Sequence, residues 1–182
     1  MKDTGFSVPA SNRDRLPPCY RTDPSTEKTV IWDDAHSGIY SRPPVFEGGA
    51  GGLVSTVDDL LAFSQMMLQG GSMGRERVLS RTAVTLMTTD QLTTEQKRLS
   101  PFFPHFWDTC GWGLGLGVIT HRADLGRSPG TFGWDGAFGT SCWADPAEDL
   151  VGMLMIQRTP ATPAYPAIIG DFWTSVYQAI DD

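Results

Sequence analysis

The chain has 182 residues, of which 40% are hydrophobic and 19% charged, with a formal net charge of −7 and a pI near 4.8. That balance supports a packed core and excludes a disordered chain, and the length suits one domain or part of a larger one. Acidity without any basic run excludes a nucleic-acid surface and disfavours anionic membranes, and no apolar run is long enough to cross a bilayer.

The opening Met1-Lys2-Asp3-Thr4-Gly5-Phe6 lacks the apolar segment of a secretory signal. Cys19, Cys110 and Cys142 are an odd, widely spaced set without a C-x-x-C pair, which fits neither a disulfide framework nor a zinc site. Both features favour a reducing, cytoplasmic setting.

Residues 1–54 are proline-rich, with Pro17-Pro18 and Pro43-Pro44, and show no helical period. Short strands are expected at Thr29–Trp32 and Ile39–Tyr40, and the cluster Gly48-Gly49-Ala50-Gly51-Gly52 closes the stretch. A helix follows. Ser55 reads as its N-cap with Asp58 three residues on, close to a capping box. Val57, Leu60, Leu61, Ser64, Met67 and Leu68 share one face, and Gly70-Gly71 supplies the stop. A shorter helix is expected from cap Ser80 to about Thr88, burying Val84 and Met87. Residues 90–110 read as an irregular loop, because Pro101-Phe102-Phe103-Pro104 suits neither a helix nor a central strand.

Gly111-Trp112-Gly113-Leu114-Gly115-Leu116-Gly117-Val118-Ile119 alternates glycine with large apolar groups, a period of two that predicts one strand with its glycine face under a helix. Residues 131–157 predict a hairpin turning at Asp145-Pro146-Ala147-Glu148-Asp149. Gly133, Gly136 and Gly139 leave its first strand bare, so something must approach that backbone, either a packed helix or a substrate carbonyl seeking N–H donors. Tyr165, Ile168, Ile169, Phe172, Trp173, Val176, Tyr177 and Ile180 form the apolar stripe of a C-terminal helix. The expected fold is α+β: an antiparallel sheet of at least three strands packed by a C-terminal helix, with further helices.

Two motif matches sit in the wrong context. Ser25-Thr26-Glu27-Lys28 fits S-x-x-K but lies between Pro24 and a β-prone run. Gly70-Gly71-Ser72-Met73-Gly74 fits G-x-S-x-G but follows a helix C-terminus rather than a strand. Asp33, Asp34 and His36 could contribute to a metal site, yet no second cluster completes one, and a solvated turn is the simpler reading. His105 and His121 are isolated. No phosphate loop or dinucleotide fingerprint is present. Read residue by residue, the chain is an α+β domain without a convincing nucleophile, base or metal.

Several segments, in order, resemble the C-terminal portion of the serine β-lactamase and penicillin-binding-protein-like hydrolases, most closely their carboxylesterase branch. They are Met1–Phe6, Gly51-Gly52-Leu53-Val54-Ser55-Thr56-Val57-Asp58-Asp59-Leu60, Gly111–Val118, and Gly139-Thr140 through Asp145-Pro146 to Gln157. The resemblance implies a partial β-lactamase/transpeptidase-like fold. Residues 1–182 would form one C-terminal part, comprising an extended segment 1–54, a helical part 55–110, and a sheet plus helix 111–182.

The family's third active-site motif, Lys-Thr-Gly, His-x-Gly or Trp-x-Gly, falls on Trp134, Asp135 and Gly136, which the resemblance makes the substrate-binding residues. The Ala137 N–H becomes an oxyanion donor. Tryptophan in the lysine position removes a cation that would hold a β-lactam carboxylate, which points to esters, and Asp135 adds negative charge nearby. The family's Ser-x-x-Lys and its Tyr-x-Asn or Tyr-x-Ser motif have no counterpart in the right order, since Ser25–Lys28 falls in the wrong part of it. The resemblance therefore implies a fragment, inactive alone, of a hydrolase that acts on a small-molecule ester or amide through an acyl-enzyme, with no metal and no cofactor. The competing expectation is a non-catalytic binding or dimerisation module that forms a homo-oligomer through exposed apolar surface. A third is a metal hydrolase built on Asp33, Asp34 and His36.

Overall fold

The computed structural model describes residues 1–123, 126–160 and 167–181, which form two compact units. One unit holds residues 1–60, 135–140 and 155–160, and the other holds most of the remainder.

In the first unit, strands β1 (Cys19–Thr22) and β2 (Thr29–Asp33) make an antiparallel hairpin. The Tyr20 N–H donates to Gln157 O and the Thr159 N–H to Tyr20 O, so residues 157–159 add to the β1 edge. A second tie pairs Gly5 and Val54 through reciprocal bonds of 3.0 and 2.9 Å. Residues 39–40 do not form the expected strand. Ile39–Ser41 is a 3-10 turn, because the Asp33 carboxylate accepts from the Ile39 N–H at 2.9 Å and Ser41 N–H bonds Gly38 O. A further 3-10 turn spans Ala10–Arg15, again where no helical period is visible.

Helix α1 (Val57–Leu68) starts one residue later than its expected cap implies. The hydroxyl of Thr56, not that of Ser55, accepts from the Asp59 N–H at 3.3 Å, while Ser55 Oγ pairs with Thr4 Oγ1. In the same unit Asp59 is nearly inaccessible, and its carboxylate accepts from the N–H groups of Lys2 and Asp3 and from the Thr4 hydroxyl. Burial raises the pKa of this carboxyl, but those three donors outweigh it and hold the group below the usual carboxylate range.

The second unit holds a short hairpin of β3 (Ser72–Met73) and β4 (Glu76–Arg77) and is built on a five-stranded antiparallel meander: β5 (Cys110–Trp112), β6 (Gly117–Ile119), β7 (Phe132–Asp135), β8 (Thr140–Asp145) and β9 (Leu150–Met155). The expected strand 111–119 is in fact two strands. Its chain reverses at Gly113–Leu116, where Gly113 N–H bonds Leu116 O and Gly115 takes a φ of +88°, so Cys110 pairs with Ile119 and Trp112 with Gly117. Glycine alternation here encodes a tight turn as well as a strand, and the two are indistinguishable by period. The expected first arm of the hairpin, 131–145, likewise folds back on itself as β7 and β8.

Period-two alternation along β8 sorts its side chains. Ala144 joins Met66, Met67, Val84 and Phe132 in a cluster with α1 and helix α2 (Arg81–Met87). Trp143 joins Ile169 and Trp173 of helix α5 (Ala167–Gln178), with Cys110 and Ile119. Helices therefore cover both faces of this sheet, and the fold is α+β. The α5 stripe packs as expected at Ile169, Phe172, Trp173, Val176 and Tyr177, whereas Ile168 in the first turn is exposed, Ile180 lies past the helix end and Tyr165 lies outside the described residues. Ser80 caps α2 as expected, accepting from Ala83 N–H at 3.0 Å.

The stretch 90–110 is not a loop throughout. It holds helix α3 (Thr94–Leu99), with a full capping box between Thr93 and Gln96, and one turn of helix α4 (Phe106–Thr109). The proline pair limits only residues 101–104. Between these elements Asp90 pairs with Lys97 and accepts from Trp112 and Leu92 N–H.

Candidate functional site

The segment from Phe132 to Asp145 carries the four residues singled out above. β7 ends at Asp135, and the chain reverses through Gly136-Ala137-Phe138-Gly139. The Gly139 N–H bonds Gly136 O at 3.0 Å, and the Gly136 N–H bonds Thr140 O at 2.7 Å. This is a β-turn closed at its neck by a ladder bond.

The glycine spacing has its own explanation here. A Cβ on Gly133 would collide with Cys142 O and the Trp143 backbone, one on Gly136 with Thr140 Oγ1, and one on Gly139 with Arg158 O. Gly139 also has a φ of +90°, which an L side chain resists. The close approach expected from a helix or a substrate carbonyl comes instead from the chain's own neighbouring strands. Of these four groups, those of Thr140, Cys142 and Trp143 belong to β8 itself.

Trp134 is half-buried in an aromatic group of its own unit. Its ring meets Trp112 edge-on at 4.6 Å and Phe106 at 6.1 Å, with Phe102 tilted at 5.8 Å. Phe102 and Phe103, between Pro101 and Pro104, are exposed, and the Trp107 indole N–H donates to Ser100 O at 2.8 Å. Asp135 is half-buried at the end of β7.

In the first unit, Ala137 is exposed at the second position of the turn, and its N–H meets no acceptor among the described residues. The next residue, Phe138, is held firmly. Its ring lies 5.1 Å from Trp32 and 5.8 Å from Tyr40, and its carbonyl accepts from Arg158 N–H at 2.9 Å. Sequence reasoning passed over Phe138. An aromatic residue inside a glycine-flanked turn was the available signal, since turn tips are ordinarily polar.

The other candidates serve local structure. Ser25 Oγ donates to Asp23 Oδ1 at 2.6 Å in a turn, and Lys28 meets that turn through its carbonyl, which accepts from Asp23 N–H. Gly70 and Gly71 close α1 by donating to Met67 O and Met66 O, which makes the G-x-S-x-G match a helix cap. The Asp34 carboxylate accepts from His36 N–H and from both donors of Ser37, which lowers its pKa. With Asp33 bonded to Ile39, both carboxylates are spent on their own turn, and no group of three or more metal-ligating side chains occurs among the described residues. His105 lies beside Asp108 at 3.1 Å, and His121 beside Thr120 at 3.1 Å.

A family model described as beta-lactamase matches residues 1–168. The chain belongs to the beta-lactamase family. It is 41% identical over 178 residues to Protein Rv1367c of Mycobacterium tuberculosis, covering 94% of this chain and 44% of that relative. Its fold is similar to simvastatin synthase from Aspergillus terreus, with a TM-score of 0.74 at 16% identity over 99% of this chain and 46% of that one. It is also similar to EstCE1, a hydrolase with promiscuous acyltransferase activity, with a TM-score of 0.60 at 19% identity over 87% of this chain and 42% of the other. A family VIII carboxylesterase matches with a TM-score of 0.56 at 18% identity, over 97% and 46%. This beta-lactamase-family chain thus spans less than half the length of the relatives it matches.

Proposed function

We propose that this chain is the C-terminal part of a serine hydrolase that cleaves small-molecule esters or related amides through an acyl-enzyme. The observation that carries the reading is the exposed residue Ala137, whose N–H has no acceptor among the described residues, directly after Trp134-Asp135-Gly136. Acyl transfer builds negative charge on the carbonyl oxygen, and a rigid backbone N–H aimed at that oxygen is a recurrent source of rate. A turn pinned at its neck and through Phe138 supplies such rigidity. Tryptophan at position 134, where the family's lysine would stand, leaves that position neutral, which favours an ester over a ligand that needs a cation. The nucleophile and its lysine would come from polypeptide that this chain does not contain, so the chain by itself would not turn over.

The test replaces the matching 178 residues of the Mycobacterium tuberculosis relative with this chain. The graft is expected to hydrolyse a short-chain p-nitrophenyl ester and to take a fluorophosphonate label on one serine, and the isolated chain to do neither. Ester turnover with serine labelling by the isolated chain would overturn the split of roles, and a folded graft inert to both reagents would overturn the activity.

A second reading rests on Val45 and Phe46, which stand fully or largely exposed in the first unit. A binding module that self-associates through such surface would elute as a dimer, and mutation of Val45 and Phe46 to serine would return it to monomer.

A further inference from the structure

The geometry points to Phe138 as a positioning residue for the turn that presents the Ala137 N–H, acting through the Trp32 and Tyr40 rings. The inference rests on the oxyanion reading of Ala137 given above. A β-turn with glycine at both ends has low intrinsic stiffness, because glycine visits both signs of φ freely. Gly136 and Gly139 are fixed by packing against Thr140 and Arg158 O, so they cannot be exchanged for stiffer residues. Rigidity beyond the neck bonds and that packing must then come from the two residues between them.

Ala137 contributes nothing to it, since its side chain is a methyl group and it is exposed. Phe138 contributes through both of its ends. Its carbonyl accepts from Arg158 N–H at 2.9 Å, and its ring is tilted against Trp32 at 59° and Tyr40 at 56°. The two ring partners come from separate parts of the sequence, the end of β2 and the 3-10 turn Ile39–Ser41. These elements are anchored in turn, because the Asp33 carboxylate caps that 3-10 turn through Ile39 N–H, and Val8 N–H bonds Tyr40 O at 2.8 Å. Tyr40 is half-buried, and burial, with Asp33 nearby, raises its phenol pKa, so it stays an uncharged packing surface.

An aromatic side chain at the turn thus converts a flexible reversal into a fixed one. Trp32 remains substantially exposed, which shows that the cluster is not simply core. The ring triad spends apolar surface at a turn tip where a polar residue would be the ordinary choice.

The experiment uses the isolated chain and the graft described above, each with Phe138→Ala, Phe138→Tyr and Trp32→Ala. In the isolated chain, ¹⁵N relaxation reports the order of the Ala137 amide. Phe138→Ala and Trp32→Ala are expected to lower it while the β8 amides keep theirs, and Phe138→Tyr to restore it. In the graft, Phe138→Ala is expected to lower kcat for the p-nitrophenyl ester by roughly 10- to 100-fold, the scale of a misplaced donor, with KM within about twofold. Phe138→Tyr should recover most of the rate.

Unchanged order at Ala137 in the folded Phe138→Ala chain overturns the inference, as does an active graft whose kcat ignores that substitution. Equal losses in kcat, KM and melting temperature would mark a merely structural residue and also overturn it. A parent graft without esterase activity is a different result: it removes the reading of Ala137, and with it the catalytic role, even where the amide loses order.

Discussion

The Tyr177 hydroxyl donates a hydrogen bond to Asp145 Oδ2 across 2.6 Å, joining the last helix to the end of β8. Asp145 is inaccessible to solvent and also accepts from Ser128 N–H at 3.1 Å and Ala147 N–H at 2.9 Å. Burial raises the Asp145 pKa, but these donors outweigh it and keep the carboxyl below the usual range. Burial, then the carboxylate itself, pushes the Tyr177 phenol strongly upward, so it remains a donor at any ordinary pH. Tyr177→Phe removes one donor from a buried carboxylate. It is expected to cost about 1.5–3 kcal/mol, the worth of a hydrogen bond to a charged group. Urea unfolding at pH 7 measures it, and a loss below a few tenths would mean that the bond is not maintained in solution.

The same arrangement sets a pH dependence. Asp145, Asp90 and Asp59 all have folded pKa values below the ordinary carboxylate value. Such groups contribute stability that is complete above the unfolded pKa and is lost as pH falls through the folded one. Stability should therefore be level near neutrality and fall from roughly pH 5 downward. Lys97→Met removes the cation paired to Asp90 and should flatten part of that fall, because its folded pKa then moves back toward the unfolded value. Chemical denaturation at a series of pH values gives the slope. An acid limb as steep in Lys97→Met as in the parent would reject the role of the pair.

The sequence made the sheet and its closing helix legible because their signals are local and periodic, as in the Ile169–Phe172–Trp173–Val176 stripe. Where glycine dominates, periodicity cannot tell a strand from the turn that divides it. Gly113–Leu116 and Gly136–Gly139 are turns because of backbone bonds to Leu116 and Thr140, which no spacing reveals. The Thr93–Gln96 capping box was readable but was masked by the prolines downstream. At the candidate site, Gly136 stood out through the glycine spacing, whereas Trp134, Asp135 and Ala137 took roles only through a family resemblance. The long-range partners of Phe138, namely Trp32, Tyr40 and Arg158, lie at sequence distances that local pattern does not span.

Asp59 fastens the start of the chain to α1. Three donors, Lys2 N–H, Asp3 N–H and the Thr4 hydroxyl, converge on its carboxylate at 3.2, 2.8 and 2.8 Å. Asp59→Ala leaves all three without their acceptor while keeping helix propensity at that position. The Lys2 and Asp3 amides should then exchange with solvent much faster, and the Gly5 and Val54 amides, which bond each other's carbonyls, should follow in part. Hydrogen exchange read residue by residue tests this. Unchanged protection at Asp3 would show that other contacts hold the segment.

Gly152 on β9 faces the Trp173 indole so closely that an added Cβ would stand 2.5 Å from the ring tip. In an open strand, alanine for glycine gains about 0.5–1 kcal/mol by restricting the unfolded chain. Here the ring cannot yield. Trp173 is only 3% exposed, its indole N–H donates to Ser141 Oγ at 2.9 Å, and Phe172 packs edge-on at 5.2 Å. Overpacking of this kind costs about 1–3 kcal/mol, which exceeds the entropic gain, so Gly152→Ala is expected to destabilise. Trp173→Phe shortens the ring and opens the space, at its own cost in lost packing and in the loss of the indole hydrogen bond to Ser141. The two changes occupy one volume, so they should couple. The double variant is expected to be more stable than the sum of the single losses by about 1 kcal/mol or more. Thermal and urea unfolding of the four proteins complete the cycle. Additive losses, or a Gly152→Ala chain as stable as its parent, would mean that the helix stands farther from the sheet than 2.5 Å to that methyl position implies.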